Sequence, residues 1–488
     1  MNCLTIKECN TMNANELFEI VLAKAEEYGL IAKNDGSTIV EPKGNAIIRN
    51  NLLDISFNEG SAYFGFLSAE EETKGPYSDF SFVVFPDNKD VVQTCVVCLG
   101  VGSSGFKNDY QLASLPGLRR TYLKLKTDDN NTFFKTSFDD IESTSSDLLN
   151  EIRANYPDLK TVIDSYKTVL PASRIVHLNE NDALDVIYMW LATYAKIRSW
   201  GTAAQKKLIS SQLSKIPSPI LPDEEKEIKD LLEKRRFVVL QGAPGTGKTF
   251  TALKISKDYD KCYFEQFHAE TSYSDFVYGL EPNMNVGASQ PQFNPKKGVL
   301  YQTIEYAEQH GKEKVLLIID EINRANLSNV LGPVFYLFEY QSGKRPVKIK
   351  IGDKEIDKLP ENIDVVATMN TADRSLAVVD FALRRRFAWY TLRPHKVAPQ
   401  KGFKFMEKVF EKLTDIFFEY ATDDELNLQP GQSYFIVPAS NKDEEMRERM
   451  IYELMPLIKE YLAEGYLLKA KDSFCDLFLK ETGRLMYE

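Results

Sequence analysis

Near the N-terminus Leu17, Phe18, Val21, Leu22 and Ala25 recur at helical spacing, which predicts an amphipathic helix over 13–30. From about Thr38 to Phe138 the pattern changes to short β-prone runs (62–67, 80–85 and 91–99 among them) broken by Gly, Pro and Asn. That texture predicts an α+β domain with a mostly antiparallel sheet. Helical spacing returns over 146–168 and 182–200, the second stretch carrying Ile187, Met189, Trp190, Leu191 and Tyr194. These helices either close the N-terminal domain or bridge it to the next one.

Pro217, Pro219 and Pro222 then fall within six residues, which neither continues a helix nor joins a central strand, so a domain boundary belongs there. The following segment, 223–236, opens with acids and closes with bases, as the helix dipole favours. Apolar strands and helices alternate from Phe237 to about Leu392, the pattern of a parallel sheet with crossover helices on both faces. The rest, from Gly402, is helix-rich with a turn at Pro430 and Gly431, and reads as a small helical lid. The chain therefore divides into an N-terminal α+β domain (1–175), a helical bridge and Pro-rich linker (176–222), an α/β core (223–398) and a helical lid (399–488). No internal repeat is evident.

Composition narrows this picture without redrawing it. A length of 488 residues calls for several domains, and 43% hydrophobic with 27% charged residues is ordinary for a soluble globular chain. No apolar stretch is long enough to span a membrane and no basic-then-apolar leader opens the sequence, so a cytoplasmic protein with no membrane contact is expected. Six scattered cysteines make no disulfide framework. Cys95 and Cys98 have metal-ligand spacing but sit inside the apolar run 91–100 with no second pair, which favours a buried strand. A net charge of −11 argues against adhesion to nucleic acid by the whole surface and leaves room for a local basic patch or ring pore. One candidate is 119–126, where basic and apolar residues alternate around Tyr122, as in a strand facing nucleic acid or equally in a solvated strand face. The glycines at 100, 102 and 105 match a dinucleotide fingerprint, yet the residues after them do not open a helix, so a glycine-rich loop is expected.

The chemistry concentrates after residue 236. The apolar run 237–241 leads directly into Gly242, Ala243, Pro244, Gly245, Thr246, Gly247, Lys248 and Thr249, the full G-x4-G-K-[ST] pattern between a strand and a helix. Such a loop aims backbone amides at phosphate oxygens, and the helix N-terminus adds its positive end. Lys248 is expected on the β- and γ-phosphates, Thr249 on Mg²⁺, and Phe250 beside the bound nucleotide. About seventy residues on, the apolar run 314–319 ends in Asp320 and Glu321. Carboxylates at the end of a buried strand need a neutralising partner. Asp320 is assigned to the metal and Glu321 to polarising the attacking water. A third buried run, 363–369, ends in Asn370, whose amide is placed to orient that water. Arg384, Arg385 and Arg386 precede a final hydrophobic strand, 387–392.

Several stretches together resemble the McrB family of AAA+ motors: 369–375 (MNTADRS) running into 376–387 (LAVVDFALRRRF), 320–328 (DEINRANLS), the Phe267 to Pro282 region, and 431–435 (GQSYF). The resemblance covers roughly Phe237 to Leu468, with one proline fewer in the P-loop than many relatives have. It implies that Asn370 is a sensor, that Asp373 and Arg374 lie at the active subunit interface, and that Arg384 or Arg385 is a finger acting on a neighbouring subunit's nucleotide. It offers no evident second sensor beyond Arg447 and Arg449, while His268 suits either a structural or a nucleotide-facing role. By the same resemblance the protein is a ring-forming homo-oligomer, hexameric by expectation, using Mg²⁺ with GTP in preference to ATP. It would act on DNA, modified bases included, with a separate McrC-like nuclease, since no nuclease constellation stands out in this chain. The alternative is an AAA+ ATPase that remodels protein, with the N-terminal domain as a protein-sensing adaptor.

Overall fold

A computed structural model describes residues 12–33, 44–70, 78–102, 105–125, 131–134, 150, 154, 172–215, 223–283, 293–339, 347–372 and 381–487. Nearly all of the helical pattern over 146–168, the proline-rich segment 216–222, and Asp373 and Arg374 lie outside the described residues. The chain separates into two units, Met1–Ile220 and Leu221–Glu488.

In the first unit β1 (Ala46–Asn51), β2 (Tyr63–Ser68), β3 (Phe80–Pro86), β4 (Thr94–Val101), β5 (Thr132–Phe134) and β6 (Ala172–His177) form a sheet in the order β1-β2-β3-β4-β6-β5. Every pairing is antiparallel. β3 and β4 are buried along their whole lengths. Cys95 and Cys98 stand three apart on β4, so they point to opposite faces of the sheet and cannot converge on one ion. The helix Ala14–Glu27 starts at a capping box in which Asn13 and Glu16 each bond the other's backbone amide at 2.9 Å. Leu17, Phe18 and Val21 from that helix share one core with Ile187, Trp190, Leu191 and Tyr194 of the helix Ala183–Ile197. The helix Ala183–Ile197, which the sequence left either closing the N-terminal domain or bridging it to the next, thus belongs to the core of the first unit. Its apolar face, too large to leave in water, is satisfied there.

Residues 119–126 depart from their reading as a strand. Pro116–Lys124 is a helix with proline in its first turn, and Leu118, Tyr122 and Leu125 are buried at helical spacing. Alternation of period two and helical spacing of four coincide over so short a run, and burial of the face carrying Tyr122 decides for the helix. Tyr122 therefore faces the core and forms no stacking platform for nucleic acid.

The second unit holds β7 (Phe237–Gly242), β8 (Lys261–Gln266), a hairpin of β9 (Tyr278–Pro282) and β10 (Phe293–Lys297), β11 (Val315–Asp320), a smaller hairpin of β12 (Ile349–Ile351) and β13 (Lys354–Ile356), β14 (Ile363–Asn370) and β15 (Ala388–Thr391). Five of these make a parallel sheet in the order β15-β7-β14-β11-β8. Its central strands alternate between two buried faces. Val239, Leu317 and Val365 pack on one side, and Val238, Leu316 and Val366 on the other against Ile228 and Leu232 of the helix Glu224–Arg235. Asp223 caps that helix by accepting from the Lys226 amide. The lid has its own core, built from the helices Glu407–Tyr420, Lys442–Arg449, Met455–Ala463 and Lys471–Thr482 and from Phe435 beside the short pair β16 (Phe403–Phe405) and β17 (Ile436–Pro438). Among the described residues no helix is long and apolar enough to cross a membrane.

Candidate nucleotide site

Parallel strands end on the same edge of a sheet, and ligands of open α/β sheets bind at the carboxyl ends. β14 lies between β7 and β11, with Asn370 in register with Gly242 and Ala367 with Ile319. Gly242, Asp320 and Asn370 consequently emerge side by side. The loop from Gly242 to Gly247 then turns into the helix Lys248–Ile255. Gly245 and Gly247 have φ of 78° and 88°, a backbone that side chains rarely adopt and that folds the loop into an amide-lined nest.

Lys248 is buried, with Nζ donating to the carbonyls of Gly242 and Ala243 at 3.0 and 2.9 Å. Its ammonium is therefore held over the loop that it is expected to serve. The Thr249 hydroxyl donates to Asp320 Oδ1 at 2.7 Å, so the two side chains predicted for Mg²⁺ are in contact. A hydroxyl and a buried carboxylate side by side are hard oxygen donors of the kind this ion takes. Phe250 is exposed on the first turn of the helix.

Thr368, which sequence reasoning passed over, organises the acids. Its hydroxyl donates to the same Asp320 Oδ1 at 2.7 Å and accepts from the Glu321 amide at 3.0 Å. The available signal was a lone hydroxyl in the otherwise apolar end of a buried strand, two residues before Asn370. Glu321 itself has φ of 54°, the left-handed region, which stores strain at the point where its carboxylate is aimed. Arg324 Nε lies 3.5 Å from Glu321 Oε2. Asn323 is buried, with Nδ2 at 3.5 Å from the Asn370 carbonyl, and the Asn370 side chain accepts from the Ala372 amide.

Known proteins resemble this second unit. Residues 237–387 match the AAA domain of the dynein-related subfamily. The Escherichia coli K12 type IV methyl-directed restriction enzyme EcoKMcrB subunit is 34% identical over 253 residues, 46% of this chain and 54% of that protein. The chain thus carries an AAA domain and is similar to this McrB subunit over about half of that protein's length. The Bacillus subtilis 168 type II restriction enzyme BsuMI component YdiS is 26% identical over 196 residues, 32% of this chain and 57% of its own length. The chain thus spans little more than half the length of the curated relatives it matches. A solved structure from Cytophaga hutchinsonii covers 53% of the chain and 81% of its own at 16% identity, with a TM-score of 0.24 that places no residue.

Within this AAA domain the three arginines part company. Arg386 has a side chain only 10% exposed, 3.2 Å from Glu339 and stacked over Phe335, so it holds the fold. Arg384 and Arg385 are exposed, the first with its guanidinium over Trp389 and the second 73% exposed at 3.9 Å from Glu339. His268 has an exposed side chain while its backbone closes a turn with Thr271. Of the two lid arginines, Arg447 bonds the Thr482 carbonyl inside the lid. Arg449 bonds the carbonyl of Ser433, whose amide in turn donates to Gly245.

Proposed function

We propose that this chain is the McrB-like, GTP-favouring, Mg²⁺-dependent motor of a restriction system, assembling as a hexameric ring in the cytoplasm. Its N-terminal unit would recognise modified or foreign DNA, and translocation would be coupled to a separate McrC-like nuclease. The reading rests on one observation above all: P-loop, acid pair and amide meet on a single sheet edge, in a chain that is 34% identical over 253 residues to a methyl-directed restriction subunit. When bound, the metal offsets phosphate charge. Thr249 and Asp320 would hold it, and the amides of the loop with Lys248 would bind the phosphates. Glu321 would take up the proton of the attacking water, which Asn370 orients. Phe250 offers an exposed ring to the nucleoside. Arg384 or Arg385, with Asp373 and Arg374, would complete the site of the adjacent subunit.

Protein remodelling, with an ATP-driven motor and a protein-sensing first unit, is the second reading. It gains weight because the basic run 119–126 lies largely on a helix with Tyr122 turned inward, so that run no longer favours DNA. A hydrolysis assay comparing GTP with ATP, with and without methylated DNA, separates the two. GTP turnover stimulated by methylated DNA is expected. Hydrolysis indifferent to DNA at low salt and raised by an unfolded protein would overturn the restriction reading.

A further inference from the structure

The lid segment 431–435 was singled out by its sequence, and the hydrolytic chemistry above leaves it without a task. In the fold it lies directly on the P-loop. Three consecutive loop carbonyls each accept a hydrogen bond from it: Pro244 from the Gly431 amide at 2.8 Å, Gly245 from the Ser433 amide at 3.1 Å, and Thr246 from Gln432 Nε2 at 2.9 Å. The approach is backbone on backbone, since a Cβ on Gly431 would stand 2.1 Å from the Gly245 carbonyl carbon. Next along the chain, Phe435 is wholly buried in the lid core and its carbonyl holds the Met406 amide, so the segment is anchored from behind.

In a trans peptide the carbonyl of one residue and the amide of the next point in opposite directions. Fixing the carbonyls of 244, 245 and 246 toward the lid therefore turns the amides of Gly245, Thr246 and Gly247 away from it. Thr246 already donates weakly to Ala243, at 3.4 Å. The glycine amides on either side are left to form the anion-binding nest. We infer that the lid segment Gly431–Ser433, with Gln432 donating a side-chain hydrogen bond to the loop, is a positioning element that shapes the phosphate cradle before nucleotide arrives. This rests on the nucleotide reading of the P-loop. It makes lid and loop one binding unit: any shift of the lid would change phosphate affinity by reorienting the loop amides, although the lid segment itself does not touch phosphate.

Gln432 suits a test because its two amide atoms differ. Nε2 holds Thr246, whereas Oε1 is buried with no hydrogen-bond partner among the described residues. Leucine removes the donor together with an orphaned acceptor, so Gln432→Leu should change stability little while releasing the loop. Equilibrium binding of mant-GTP and mant-ATP to the full chain with Mg²⁺, and their displacement by inorganic tripolyphosphate, measures the cradle. Gln432→Leu is expected to weaken all three ligands alike, by about tenfold. KM should rise by a similar factor, and kcat should move much less. Gln432→His, which keeps a ring donor near the Thr246 carbonyl, should restore most of the affinity, and Gly431→Ala should lose more than the leucine variant. Unchanged affinity in Gln432→Leu overturns the inference, as does a loss confined to one base, which would make Gln432 a base reader. Failure of His to rescue would reduce the residue to packing. If Gly431→Ala does not fold, the Gln432 pair decides alone. Wild-type protein that binds none of the ligands would instead overturn the nucleotide reading itself.

Discussion

Replacing Thr368 with valine keeps the shape of the side chain and deletes its hydroxyl, which separates hydrogen bonding from packing. The site is 1% exposed, so water does not replace what is lost. Asp320 loses one of its two hydroxyl donors, the 2.7 Å bond from Thr368, and keeps the one from Thr249. A hydrogen bond to a charged group is worth roughly 1.5–3 kcal/mol, and stranding the Glu321 amide adds roughly 1–3 kcal/mol. Neighbouring losses are not additive. A net destabilisation of about 3 kcal/mol of the second unit is therefore expected, read as a fall in the urea midpoint of nucleotide-free protein. Of the three tryptophans only Trp389 lies in the second unit, so variants retaining Trp389 alone report that transition. Hydrolysis should fall by about tenfold or more, because Asp320 and the strained turn at Glu321 lose their shared support. Thr368→Ser should recover most of both. A valine protein within about 0.5 kcal/mol of wild type and equally active would refute the assignment of Thr368 as the organiser of the acid pair.

Further outcomes follow from the site and the sheet. Lys248→Ala is expected to lose binding of GTP and ATP alike while circular dichroism stays native, and Glu321→Gln to bind nucleotide yet turn over very slowly; normal turnover in either removes that residue from the site. Mixing Lys248→Ala protein with a double Arg384→Ala, Arg385→Ala variant should partly restore hydrolysis, since a finger acting between subunits contributes about 10³ to 10⁵ in rate, whereas Arg386→Ala should chiefly lower stability; co-assembly without recovery would show that the exposed arginines do not act in trans. Cys95 and Cys98 are wholly buried in β4, with burial pushing the Cys98 thiol up to about 12 and Cys95 higher still, so alkylation of native protein followed by mass spectrometry should leave both unmodified; labelling without unfolding would contradict their place in the sheet.

Local signals and tertiary ones divide cleanly in this protein. The P-loop, the acid pair and Asn370 were legible because each ends an apolar run, and a strand buried on both faces stops where its polar residues begin. The antiparallel texture of the first unit and the helices beginning at Ala14, Ala183 and Glu224 were legible for the same reason, since spacing alone distinguishes a period of two from one near four. Where the two periods overlap, as over 119–126, the sequence was ambiguous and packing around Tyr122 decided for a helix. No local pattern distinguishes Arg386 from Arg384 and Arg385, because only burial against Phe335 and Glu339, the latter 47 residues away, makes one of three adjacent charges structural. Thr368 and Gln432 were hidden likewise: a hydroxyl or an amide acquires its role from the atom it reaches, and Asp320 and Thr246 come within reach only once β14 lies beside β11 and the lid rests on the loop. Sequence by itself determined which segments bury and which residues can carry charge or donate hydrogen bonds. Tertiary structure decided which of those groups meet, because a hydrogen bond depends on ångström distances that chain separation does not encode.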